Sequence, residues 1–146
     1  MKTIINTSLP IVYICSGKVE VLPFLDLSMK ANVWGVHVAG LYFKRTCENK
    51  GNWYYARDII ANAVREGVVL PSCVQFQDAF KEKDAFNETV DILIKNGVNA
   101  NYLEGEYWTA NVKGDDHAYI VRMSDGLEFA YAKFCSSAKI RLALSE

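Results

Sequence analysis

The residues best suited to covalent chemistry lie in the last third of this sequence. Cys135 offers a thiol, and His117 with its neighbour Asp116 offers an imidazole and a carboxylate. These are the groups of a Cys–His nucleophilic site. The chain has only two histidines, however, and no sequence spacing fixes His117 against the cysteine. A small Cys/His enzyme is therefore the least favoured function, and we expect Cys135 to be a partly buried residue beside a turn. His37, on a strand face, is expected to be a hydrogen-bonded core or edge histidine.

Metal-binding chemistry is also weakly indicated. Oxygen ligands for Ca²⁺ are available near the same region, from Glu104, Glu106, Asp115 and Asp116, but their spacing is not that of a calcium loop. The four cysteines match no zinc or redox spacing; they are Cys15, Cys47, Cys73 and Cys135. No glycine-rich phosphate loop or serine elbow occurs either. We expect no metal, no cofactor, a solvated acidic loop, and buried free thiols in preference to disulfides.

Side chains suited to recognition occur in a polar loop and in the strand that precedes Cys135. They combine an amide, charges and an aromatic ring, and they are Asn111, Lys113, Asp115, Asp116, Tyr131 and Lys133. Tyr102 and Tyr131 lie near loops, and a tyrosine ring offers both apolar surface and a hydroxyl to a partner. The sequence therefore predicts a surface here that binds a protein or glycan ligand.

Composition fits one globular domain. The chain has 146 residues, 51% of them hydrophobic, which is enough for a core without cross-links. Its net charge is −1 with both signs interspersed, so no basic run could follow a nucleic-acid backbone. No run approaches the roughly 20 apolar residues of a membrane span. Met1-Lys2 and the apolar residues 9–15 form no clear signal peptide, because Pro10 interrupts them and no cleavage pattern follows. We expect a strand there, and the compartment stays open.

The first third of the chain predicts strands. Residues 11–15 and 18–22 flank Ser16-Gly17, a hairpin signal. Pro23 should end that ladder because it lacks an N–H, and residues 24–32 should form a connector. Residues 34–44 predict one strand with a bulge at Gly40, and residues 47–52 a loop.

The middle of the chain predicts two helical segments. The first should run from Trp53 to about residue 66, with Gly67 as its left-handed C-cap. Its apolar face comprises Trp53, Ala56, Ile60, Ala63 and Val64. The second should begin at the capping box Ser72–Gln75, be interrupted at residues 81–84, resume, and close at Gly97.

The last third predicts a meander. Strands are expected over residues 106–110, 117–123, 127–134 and 138–144, with a polar excursion at 111–116 and a turn at Asp125-Gly126. Helices segregated from an antiparallel sheet define an α+β fold. We therefore predict a single domain over residues 1–146, in which a strand pair and connector (1–33) precede a core (34–146).

The motifs of that core resemble one bacterial and phage family. They are Trp53-x-x-Ala56, Leu70-Pro71-Ser72, Tyr107-Trp108-Thr109-Ala110, Ala118-Tyr119, Asp125-Gly126, Lys133 and Ile140-Arg141. Together they are similar to the C-type-lectin-like domain at the C-terminus of Legionella collagen-like adhesins, which is similar in fold to the formylglycine-generating enzyme (sulfatase-modifying) group. The resemblance spans roughly residues 34–144; Thr109-Ala110 stands where the family usually has two serines.

The resemblance implies a C-type-lectin-like fold whose shared motifs are structural. Tyr107 and Trp108 would lock the sheet against the helices, and Arg141 would pair with a buried acceptor near the hairpin. The prolines are Pro10, Pro23 and Pro71, so the Glu-Pro-Asn loop of calcium-dependent lectins is absent. Only Cys135 lies late in the chain, which argues against the oxidase chemistry of the formylglycine group.

The expected function is therefore non-enzymatic recognition, because ligand binding in such folds depends on the loops. A phage tail or bacterial surface setting fits the family. The alternative is a structural subunit of the same fold that forms a homo-oligomer through residues 1–33.

Overall fold

The computed structural model describes residues 3–146. Met1-Lys2, which was considered above as part of a signal peptide, lies outside the described residues. The chain forms two mostly antiparallel sheets, three α-helices and one 3-10 helix. The α+β class is confirmed. The described residues 9–15 are strand, as expected.

The N-terminal hairpin is longer than predicted. Strand β1 (Ile4–Cys15) pairs with β2 (Lys18–Asp26) through a turn at Ser16-Gly17. Pro23 does not end the ladder, because pairing skips from Ile11–Leu22 to Asn6–Phe24. Pro23 thus lies at a bulge, where a missing N–H removes no ladder bond. A 3-10 helix, Leu27–Asn32, follows.

The predicted single strand at residues 34–44 is wrong. It is a hairpin of β3 (Val33–Val38) and β4 (Leu41–Lys44). Ala39 and Gly40 both adopt positive φ, 55° and 72°, which a tight two-residue turn requires. The predicted loop at 47–52 contains another strand, β5 (Glu48–Gly51).

The first helix begins as predicted and ends early. In α1 (Trp53–Ala61) the Asn52 Oδ1 accepts the Tyr55 N–H at 2.7 Å, which caps the first turn. Asn62 occupies the C-cap, and its Nδ2 donates to the Asp58 carbonyl at 2.9 Å. Val64 is consequently fully exposed and does not join the apolar face.

The predicted second segment is two helices. α2 (Cys73–Lys81) has the complete Ser72–Gln75 capping box, and α3 (Lys83–Lys95) follows after a break at Glu82. Both the capping box and the interruption are confirmed. Before α2 lies the two-residue strand β6 (Val68–Val69).

The last third contains five strands. They are β7 (Glu106–Lys113), β8 (His117–Arg122), β9 (Glu128–Ala132), β10 (Ala138–Ile140) and β11 (Ala143–Ser145). The polar excursion is shorter than predicted, since residues 111–113 continue β7. The predicted single last strand is also wrong, because it breaks at Arg141-Leu142 and its halves enter different sheets.

The strand orders are β2-β1-β3-β4-β11-β6 and β5-β10-β7-β8-β9. Because β1 lies between β2 and β3, the N-terminal residues are built into the larger sheet and are not an appendage to it. The main core packs α2 and α3 with both sheets: Phe76 of α2 lies 5.6 Å from Phe43 and stacks on Tyr107 at 5.2 Å, between ring centroids. A smaller core joins α1 to the outer face of the second sheet around buried Trp108.

Arg141 ties these parts together. It is fully buried, and its guanidinium donates to the carbonyls of Lys44, Arg45, Asn101 and Tyr102. The acceptors are partly buried carbonyls at the end of β4 and in the connections after β4 and after α3. The acceptor near the Asp125-Gly126 turn that the resemblance implies is therefore wrong.

Candidate functional site

The turn between β7 and β8 carries three of the predicted binding residues. Lys113, Asp115 and Asp116 are all exposed. The Lys133 N–H donates to the Asp116 carbonyl at 2.8 Å, and the Trp53 N–H donates to the Lys133 carbonyl at 2.9 Å. Main-chain bonds therefore hold together the turn, the loop after β9 and the start of α1.

Two large side chains on those joined segments were missed by the sequence reading. Phe134 is 73% exposed and Tyr54 is 48% exposed. We call Tyr54, Lys113, Asp115, Asp116 and Phe134 the tip surface. For Tyr54 a signal existed, because Trp53, Ala56 and Ile60 define the inward face of α1 and residue 54 falls outside it. For Phe134 the sequence offers no such signal, since aromatic residues are normally assigned to the core.

The prediction that Lys133 is displayed for a ligand is wrong. Its side chain is 8% exposed, and its Nζ lies 4.5 Å from the centroid of the Trp53 ring. A cation over an indole face is attracted by the ring quadrupole. Lys133 therefore packs on the first residue of α1 and is not displayed.

Asn111 is exposed, but its side chain is engaged. Its Oδ1 accepts the Cys73 N–H at 2.7 Å, at the first turn of α2. Helix first turns leave N–H groups without intrahelical partners, so Asn111 satisfies one of them and links α2 to β7. Its amide N–H₂ alone remains for an outside partner.

Tyr131 is half-buried on the outer face of the second sheet. Its hydroxyl donates to Glu106 Oε2 at 2.9 Å, at the opposite end of β7 from the turn, and its ring meets Trp108 edge-on at 6.2 Å between centroids. Burial, and then the Glu106 carboxylate, raise the Tyr131 pKa. The structure therefore separates the Tyr131 hydroxyl from the tip surface. Tyr102 is exposed elsewhere, hydrogen-bonded to Asp91.

The described residues contain no hydrogen bond between the Cys135 thiol and His117. Cys135 is half-buried, and its N–H donates to the Ala132 carbonyl at 2.9 Å, in a turn as expected. The other cysteines are also free thiols. Only Cys73 is buried, and burial raises its pKa to about 11, which suppresses the thiolate that would act as a nucleophile. His37 lies in the interior strand β3, where it is half-buried and paired with Glu146.

Among residues 3–146, no three His, Cys, Asp or Glu side chains are grouped so that they could hold a metal ion. In the same part of the chain no helix has the length and apolar character needed to cross a bilayer. Comparison with known proteins finds no matching family model and no matching curated protein.

Proposed function

We propose that this chain is a non-enzymatic recognition module of C-type-lectin-like fold that binds a protein or glycan partner through the tip surface. The fold part is supported by where the shared motifs lie. Trp53 opens α1, Ser72 caps α2, Tyr107 and Trp108 are buried in β7, and Arg141 is a buried hub. The burial of Tyr107 and Trp108 agrees with the structural role that the resemblance implies for them, whereas the Arg141 acceptors lie away from the hairpin.

The observation that carries the binding site is the exposure of Phe134 on a fixed backbone. Its neighbour Lys133 uses both its N–H and its carbonyl in hydrogen bonds to other segments. A side chain on a fixed main chain brings less conformational entropy cost to binding than one on a mobile loop, and aromatic residues within a polar rim are frequent anchors of recognition. Asp115, Asp116 and Lys113 supply that polar rim.

A second candidate is a structural subunit of an oligomer, in a phage tail or on a bacterial surface. The strands of residues 1–33 are poorly suited to the contact proposed for them, because β1 is enclosed by β2 and β3 and because Tyr13 engages outward groups of the edge strand β2. The edge strand β9, which has a single charge and no proline, favours an oligomer through β9 instead.

The test is binding of the purified chain to broad glycan and protein arrays, with and without a calcium chelator. The variant Asp115→Ala/Asp116→Ala/Phe134→Ala should lose binding at least tenfold while keeping its unfolding midpoint. A matched control, Val74→Ala/Asp78→Ala/Lys81→Ala, removes an exposed apolar side chain and two charges from α2 and should bind normally. Binding that survives chelation identifies a calcium-independent module. Equal binding by the tip variant, or silence on both arrays, would overturn the proposal.

A further inference from the structure

The two sheets have four edge strands: β2, β6, β5 and β9. The free N–H and C=O groups of an edge strand form a template for another strand, and proteins normally protect them with charges, proline, bulges or shortness. Two of these edge strands are protected by shortness or by charges. β6 has only two residues, and β5 has four, with Glu48 and Lys50 among them.

The long edge β2 is protected by a buried hydroxyl. The Leu27 N–H donates to the Thr3 carbonyl at 2.7 Å, so alternation turns the Phe24 carbonyl and the Asp26 N–H away from β1. Both are engaged by Tyr13, whose hydroxyl donates to the former at 2.9 Å and accepts the latter at 2.8 Å. The bulge at Pro23 adds to this protection.

Strand β9 has only one of these devices, the single charge of Glu128. Its sequence is Glu128-Phe-Ala-Tyr-Ala132, with one charge and no proline or glycine. It pairs with β8 over five successive residues without a register shift. Exposed Leu127 and Phe134 flank it.

The outward groups of β9 follow from the bonds at its two ends. The Leu127 carbonyl accepts the Arg122 N–H at 2.9 Å, and the Lys133 N–H donates to Asp116 at 2.8 Å. Odd-numbered residues therefore direct their main chain toward β8, and Glu128, Ala130 and Ala132 direct theirs to the open edge. The Ala132 carbonyl accepts the Cys135 N–H. The other outward groups of these three residues have no main-chain partner within residues 3–146.

We propose that two copies of this chain pair antiparallel along β9, about a two-fold axis at Ala130. Ala130 then faces its own counterpart, and Glu128 faces Ala132 of the second copy, so no like charges are opposed. On the outer face of the second sheet, Phe129 of each copy faces Tyr131 of the other, so the symmetry produces this pair two times. Aromatic cross-strand pairs are among the favourable ones, and the two five-stranded sheets become one continuous sheet.

Sedimentation velocity over concentrations up to about 1 mM, a range that reaches weak association, should show a monomer–dimer equilibrium. Ala130→Pro removes an N–H that points away from β8, so the hydrogen bonds between β8 and β9 are kept. An edge strand tolerates proline at such a position. This variant should remain folded by circular dichroism and sediment as a monomer. A monomer at every concentration, or unchanged association of a folded Ala130→Pro variant, would overturn the pairing.

Disulfide trapping tests the register independently of folding. In a background with Cys15, Cys47 and Cys135 changed to serine, Ala130→Cys should cross-link on mild oxidation. Directly paired residues have Cα atoms about 5.5 Å apart, within disulfide reach. Ala132→Cys is the matched control, because its counterpart lies several residues away along the strand and should cross-link at least tenfold more slowly. Equal rates would rule out this register.

Discussion

A single guanidinium, that of Arg141, fixes two connections that are remote in sequence. Its donors are directed at four main-chain carbonyls, and the Phe86 ring centroid lies 4.9 Å from its Cζ. A charge buried with these partners is stabilising only as long as the whole set is present.

Replacing Arg141 by Met should lower the free energy of unfolding by more than about 3 kcal/mol, because it leaves four partly buried carbonyls without the donors that a fully buried guanidinium supplies. Urea denaturation measures this. Arg57→Met is a suitable control, since Arg57 is exposed and its Cζ lies 5.5 Å from the centroid of the Trp53 ring. That change should cost under about 1 kcal/mol. Similar losses for the two variants would contradict the hub role.

Tyr13 gives a prediction with a pH dependence. Tyr13→Phe strands the Phe24 carbonyl and the Asp26 N–H, so it should cost about 1–3 kcal/mol at neutral pH. Burial also raises the Tyr13 pKa, so as pH rises past about 10 the unfolded chain releases this proton first, and stability falls. The phenylalanine variant lacks this contribution, and its stability should fall less steeply in alkali. A slope identical to that of the wild type would contradict the prediction.

Cys73 should be the slowest thiol to react. With its pKa raised to about 11, its thiolate population near neutral pH is on the order of a hundredfold below that of an ordinary cysteine. Mass-resolved labelling of the native protein should modify half-buried Cys135 before Cys73. In the denatured protein the two cysteines should be labelled at the same rate. Early labelling of Cys73 in native conditions would contradict its burial.

At the scale of elements, local signals predicted starts better than ends. The Asn52 and Ser72 caps are set by neighbouring residues, and both are confirmed. The end of α1 was missed because apolar spacing continues through Val64, whereas the Asn62 side chain competes for the last turn. The break at Arg141-Leu142 was missed for a related reason. Apolar and polar side chains continue to alternate across this break. Only the distant strands that pair with β10 and β11 distinguish two strands from one.

This gives an element-scale prediction. Val64→Asp should change the free energy of unfolding by less than about 0.5 kcal/mol, as exposed substitutions do. Ala56→Asp, at a fully buried position in the same apolar pattern, should cost more than about 3 kcal/mol or prevent folding. Thermal melts of the two variants make the comparison. A large loss from Val64→Asp would mean that α1 extends through residue 64.

The candidate site was only partly predictable, because contacts between segments that are distant in sequence decide part of it. Lys113, Asp115 and Asp116 are exposed because they surround a turn, which the local sequence indicates. Lys133 was misassigned because its cover, Trp53, comes from a helix far away in sequence. The grouping of Phe134 with the turn rests on main-chain bonds between separate segments, which no sequence pattern encodes.

At the scale of the whole molecule, the two sheets share residues 138–145 and the Arg141 hub, so they should unfold as one unit. Native-state hydrogen exchange should give the slowest amides of β3 and β8 the same opening free energy, within about 0.5 kcal/mol, since both report global unfolding. Amides of β5, a short edge strand, should exchange sooner. Two distinct plateaus would show that the sheets open separately.

The division of residues 138–145 between both sheets also bears on biosynthesis. The Arg141 guanidinium reaches a carbonyl 97 residues earlier in the chain, and contacts of such separation form late and slowly. Until that segment leaves the ribosome, β4 lacks its partner β11 and β7 lacks β10. The nascent chain therefore displays Phe43 and Trp108 without their final cover. Such a polypeptide is a natural client for chaperones during its own translation.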